Sequence, residues 1–113
     1  MQNADSVKQA LEDVVNDAAG GFHLRDLKIG WVLKVQTNNT LYTIEKTTDG
    51  YLISGHPRYC PFPIRTTAPG SSWGGCVVRD EFLGLGMRMV FEPQGKRDSV
   101  ITTGIQRIQV VAG

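Results

Sequence analysis

From Trp31 onward the chain runs in short stretches, WVLKVQT, TLYTIEK and YLISG, in which apolar and polar residues alternate and each stretch ends in a turn signal. A period of two sends successive side chains to opposite faces of an extended strand, so every stretch has one face to bury. Such pieces satisfy one another by pairing into a sheet that curls around its apolar face. Turn signals about eight to twelve residues apart then indicate an all-β barrel or sandwich.

Turn chemistry fixes the pairing. Asn38-Asn39 lies between the first two stretches, and asparagine tolerates the left-handed backbone of a tight hairpin. A two-residue loop at that point sets Val35 opposite Tyr42 and Leu33 opposite Ile44, while Lys34 and Thr43 share the other face. The TTDG turn at 47–50 brings Ile53 onto the Ile44 face, giving a meander over roughly residues 31–37, 40–46 and 51–55. Further on, WGGCVVR and MRMVFE read as two more strands joined through DEFLGLG, whose glycines permit a sharp bend, and PQGKRD reads as a hairpin loop. In SVITTGIQRIQVV, Thr102-Thr103-Gly104 suggests one helical turn before a last strand near 106–111. That strand is expected to pair with residues 31–37, which otherwise form an open edge.

The first segment follows a different period. Val7, Leu11, Val14, Val15 and Ala18 fall on one stripe of an α-helix, Ser6 with Gln9 fits a capping box, and Gly20-Gly21 supplies the stop. The expected organisation is an amphipathic helix over residues 1–21, packed on or capping a β-barrel domain over residues 22–113. The same stripe can serve self-association, so a homo-oligomer or a structural, assembly role is one reading of the chain. The fold class that results is mainly β, a small antiparallel barrel of six or seven strands with one N-terminal helix. The approach FHLRDLKIG resembles the lead-in to SH3-like or OB-like barrels, a likeness of fold that names no activity.

At 113 residues, 41% of them hydrophobic and 20% charged, the chain suffices for one domain with a core of its own. Such a domain buries about 65% of its unfolded surface. No apolar run approaches the roughly 20 residues of a membrane span, and the first segment lacks a signal-peptide pattern. A soluble protein of the reducing cytoplasm with no membrane partner is therefore expected, and Cys60 and Cys76 read as thiols rather than a disulfide. The net charge of +1 is too small for a dedicated duplex-DNA binder. Its distribution is uneven: the first segment carries Asp5, Glu12, Asp13 and Asp17 against Lys8, whereas residues 51–79 contain Arg58, Arg65 and Arg79 and no acid.

Within that acid-free zone, GHPRYCPFPIRTTAPGSSWGG (55–75) concentrates the chemistry. Prolines at 57, 61, 63 and 69 stiffen the backbone and withhold amide donors. His56, Arg58, Tyr59, Phe62, Arg65 and Trp73 can together stack on a planar ring and pair with a phosphate or carboxylate, and they form the candidate ligand site. A nucleotide, single-stranded nucleic acid or a protein segment would suit it. The competing reading has Tyr59, Phe62 and Trp73 plugging the barrel end over solvated arginines.

Two other chemistries are open to the same stretch. His56 and Cys60 could ligate zinc or form a thiol nucleophile, but Pro57 and Pro61 oppose the helix that would present residues four apart together. No phosphate-cradling loop, paired carboxylates or catalytic triad pattern is present, so neither catalytic residues nor a cofactor nor a metal is assigned. The favoured class is a non-enzymatic binding module, with a metal-binding or thiol-dependent protein as the alternative.

Overall fold

The computed structural model describes residues 20–74, 77–95 and 98–112. The helix read over the first segment and Cys76 lie outside the described residues. Strand makes up 58% of the structure and helix 3%, so the chain is mainly β as its alternation implies.

In chain order the elements are β1 (Gly21–His23), a 3-10 turn (Leu24–Asp26), β2 (Val32–Thr37), β3 (Leu41–Thr47), β4 (Gly50–Ser54), β5 (Ile64–Thr66), β6 (Gly70–Gly74), β7 (Val77–Arg79), β8 (Phe82–Gly84), β9 (Arg88–Phe91) and β10 (Val100–Val111). Eight of these strands form one antiparallel sheet in the order β5-β4-β3-β2-β10-β9-β6-β7, while β1 and β8 pair as a separate ribbon. The sheet curls into a half-barrel and holds eight strands rather than the six or seven expected.

The meander has the register that its turns require. Val35 faces Tyr42, Leu33 faces Ile44, and Ile44 faces Ile53 across β2, β3 and β4. All five of these side chains are buried, and the core they start continues through Met89, Phe91, Ile105 and Ile108. Burying each such aliphatic side chain is worth about 1.5–3 kcal/mol. Lys34 and Thr43 lie on the opposite face, joined by a 2.9 Å hydrogen bond from Nζ to Oγ1. Leu24 in the 3-10 turn and Leu27 just after it belong to the same core, and the Leu24 amide donates to the Glu81 carbonyl at 2.8 Å.

The far half departs from expectation in two places. WGGCVVR is not one strand: β6 and β7 fold back on each other, with Gly74 opposite Val77 and Gly74 at φ +137°. Glycine takes that backbone without steric cost, and Ser72 Oγ steadies the hairpin by donating to the Val77 carbonyl and accepting the Gly74 amide at 3.0 Å. Nor does a helical turn interrupt 102–104. β10 is one continuous strand of 12 residues that changes partner, pairing with β9 from Val100 to Gly104 and with β2 from Ile105 to Val111. Register shifts accompany the change, and Thr102 Oγ1 accepts the Met89 amide at 3.0 Å, replacing a ladder bond that the irregularity removes. The pairing of the last strand with β2 follows the expectation.

The curl brings the outer edge of β5 back to the residues just past β9. Thr66 bridges to Pro93, the Gln94 amide donates to the Arg65 carbonyl at 2.9 Å, and the Thr67 amide donates to the Glu92 carbonyl at 3.2 Å. Among the described residues no helix is long and apolar enough to cross a membrane.

Candidate functional site

The loop between β4 and β5 begins at Gly55, whose φ of +122° and position 2.3 Å from the Leu41 carbonyl oxygen, measured from a would-be Cβ, admit no side chain. It is closed on itself by its own backbone. The Gly55 amide donates to the Cys60 carbonyl at 2.9 Å, and the Cys60 amide to the His56 carbonyl at 3.0 Å. Inside this turn His56 Nδ1 accepts the amides of Arg58 and Tyr59, at 3.0 and 3.2 Å. The imidazole therefore does the work of an Asx side chain in a turn, and Pro57, which has no amide to offer, costs the network nothing.

Cys60 anchors the loop in the core as a free, fully buried thiol. Burial pushes its pKa up, which disfavours the reactive thiolate. Tyr42, beneath the loop, is pushed up to about 12, chiefly by burial and then by the neighbouring Cys60. The His56 ring lies 6.2 Å from Tyr42 and 4.5 Å from Tyr59, between centroids. Together these contacts fix the backbone that carries Arg58 and Tyr59 while both side chains remain exposed.

A groove runs past this loop as three depressions that share walls. The first, about 630 Å³, is lined by Asp49, Tyr51, Arg65, Thr67, Glu92 and Pro93. The second, about 480 Å³, is lined by Arg58, Tyr59, Pro93, Asp98, Val100 and Ile101. The third, about 130 Å³, is lined by Asn39, Tyr42, His56, Tyr59, Ile101 and Thr103. Pro93 joins the first to the second, and Tyr59 with Ile101 joins the second to the third.

Four residues singled out from the sequence, His56, Arg58, Tyr59 and Arg65, thus line the three adjoining depressions. Phe62 sits on the same loop, 76% exposed, and lines none of the three. Trp73 is elsewhere: it is 75% exposed on β6, with its ring 3.3 Å from where a Cβ on Gly86 would be. Since Tyr59 is itself 49% exposed, none of the three rings plugs the end of the curled sheet.

The zone that is free of acids in sequence is not free of them in space. Arg65 Nη1 meets Asp49 Oδ1 at 3.0 Å, an exposed ion pair, and the Arg65 guanidinium, aided by Thr47, holds the Asp49 carboxyl below the usual carboxylate range. Glu92 and Asp98 line the groove as well. Arg58 alone of its cations makes no ion pair with a described residue. The wall opposite the loop, Pro93 and Asp98 to Ile101, comes from the β9–β10 connection and the first residues of β10, and it escaped sequence reading. Its one signal, an isoleucine 62% exposed in a β-branched run, becomes visible only when the register of β10 is known.

No cluster of three or more His, Cys, Asp or Glu residues suited to a metal occurs among the described residues. Comparison with known proteins adds no assignment, since no family model, no curated sequence and no solved structure matches this chain.

Proposed function

We propose that this chain is a non-enzymatic binding module whose ligand lies in the groove between the 55–63 loop and the start of β10. Arg58 offers charge to an anionic group, Tyr59 with His56 behind it offers a face to a planar or apolar one, and Arg65 extends the contact towards the β4–β5 side. A nucleotide, single-stranded nucleic acid or a protein segment carries such a pair of features. The same surface suits a small SH3-like or OB-like barrel, in which strand edges and loops receive the ligand, though that likeness selects no ligand by itself. A free, buried Cys60 accords with the reducing cytoplasm inferred from the sequence.

One observation carries this reading. An arginine with no ion pair to a described residue and a half-exposed ring are held on a turn whose backbone is tied by an imidazole and anchored by a buried thiol. Side chains on a backbone already fixed lose less entropy when a ligand arrives. A metal or thiol centre gains nothing from the same geometry, because His56 Nδ1 is occupied by two amides and Cys60 is buried.

Fluorescence anisotropy with a labelled oligothymidylate, a fluorescent mononucleotide and a labelled acidic peptide tests the proposal. At least one probe is expected to bind, and Arg58→Ala and Tyr59→Ala are each expected to weaken it about tenfold while leaving the melting temperature in place. No binding by any probe, or binding by both variants as tight as by the parent, overturns it.

A further inference from the structure

The groove follows a stretch of strand that, among the described residues, is paired on one side only. From Val100 to Gly104, β10 is bonded to β9; its pairing with β2 starts at Ile105 opposite Thr37. In an antiparallel ladder, consecutive residues direct their amide and carbonyl alternately towards one neighbour and then the other. Val100 and Ile101 oppose Phe91 and Val90 in succession, so one of the two turns both backbone groups away from β9, towards the side where the ladder has no strand. The described β2 ladder begins only at Ile105 and does not reach them.

We infer that the groove takes an extended polypeptide, added as a short strand along residues 100–103 of β10. The inference rests on the groove being the binding site proposed above and names the ligand class for it. Backbone groups of the incoming segment would complete the open edge, as in other cases of strand addition. Side chains on its two faces would alternate between Tyr59 with Ile101, which offer apolar surface, and solvent. Arg58 selects an acidic side chain near one end, and Asp98, on the facing wall, admits a basic one. The same carboxylates argue against a polyanion: Asp49, Glu92 and Asp98 would all confront the phosphates of a nucleic acid strand, whereas a peptide can present both signs.

The test is a library of short random peptides displayed on phage and selected against the full chain. Enriched peptides are then synthesised plain and with N-methyl groups at alternate backbone positions. Enrichment of alternating peptides that carry an acidic side chain towards one end and a basic one towards the other is expected, with binding weakened about tenfold by Arg58→Ala. N-methylation of one alternate set should weaken binding tenfold or more, and of the other set by less than about twofold, because only one set faces β10. Equal tolerance of both sets refutes strand addition but leaves a peptide groove. Binding of oligothymidylate that depends on Arg58, without any enriched peptide, refutes the polypeptide and leaves the groove. If no binding of either kind depends on Arg58 or Tyr59, the groove falls too.

Discussion

Replacing His56 by alanine removes the acceptor that two amides share, and the consequence can be worked out bond by bond. The amides of Arg58 and Tyr59 lie 3.0 and 3.2 Å from Nδ1. A typical intramolecular hydrogen bond contributes about 0.5–1.5 kcal/mol net, and in this exposed turn water can replace part of each, which favours the lower half of that range. For the two bonds together, the expected destabilisation is roughly 1–2 kcal/mol. For a domain of this length that lowers the melting temperature by roughly 4–8 °C. His56→Asn should retain most of the stability, because Oδ1 of asparagine occupies the position of Nδ1 and accepts the same amides. Circular dichroism melts give the totals, and hydrogen exchange at the Arg58 and Tyr59 amides locates the change, with faster exchange expected only in the alanine variant. An alanine variant that melts within about 1 °C of the parent, or an asparagine variant that falls as far as alanine, would refute the imidazole as the tie of the loop.

At the entrance to that loop, Gly55→Ala should cost more than about 2 kcal/mol in urea unfolding, since its Cβ would meet the Leu41 carbonyl with no flexible group to yield. The raised pKa of Tyr42 favours the protonated phenol in the folded state, so its contribution is present below pH 10 and is lost as pH rises towards about 12. A loss of about 2–3 kcal/mol across that window is expected, and Tyr42→Phe should flatten it. Asp49 has the opposite sign: its lowered pKa adds a small, solvent-screened stability that disappears as pH falls through the folded value, and Asp49→Asn should remove that part of the acid limb. Cys60 should react with a thiol reagent only as fast as the protein opens, so measurable modification under native conditions at the rate of a free thiol would contradict its burial.

The meander was legible because its information is local. Asn38-Asn39 fixes the loop length, loop length fixes parity, and parity decides that Leu33, Ile44 and Ile53 meet. The pairing of the last strand with β2 was legible too, since the open edge of β2 demanded a partner. The partner change in β10 was not. Thr102-Thr103-Gly104 reads as a break in alternation, and a helical turn or a bulge explains such a break equally well until Met89 is seen to donate to Thr102. The site shows the same division. His56, Arg58 and Tyr59 are near neighbours in sequence, so their proximity could be read, but Asp49 and Asp98 reach the groove through strand pairing and change its electrostatics unannounced.

The groove and the irregularity in β10 have one origin. A strand of 12 residues that serves β9 at its start and β2 at its end leaves most of each half without a second neighbour among the described strands. Over its first half, that missing neighbour faces the 55–63 loop. Some polar groups at the crossover are absorbed internally, as when Thr102 Oγ1 donates to the Thr103 carbonyl at 2.7 Å. Others are not: Thr103 Oγ1 is buried without a partner among the described residues. A fold that needed only stability would cover such an edge with a helix or a further strand. Here the loop that stands opposite is stiffened by prolines, tied by an imidazole and studded with an exposed arginine and ring, so it borders the open edge at a fixed distance instead of closing it. If filling the edge were its role, shortening the loop would stabilise the chain. If holding it open is, every change that loosens the loop should weaken binding before it lowers stability by more than the contacts it removes.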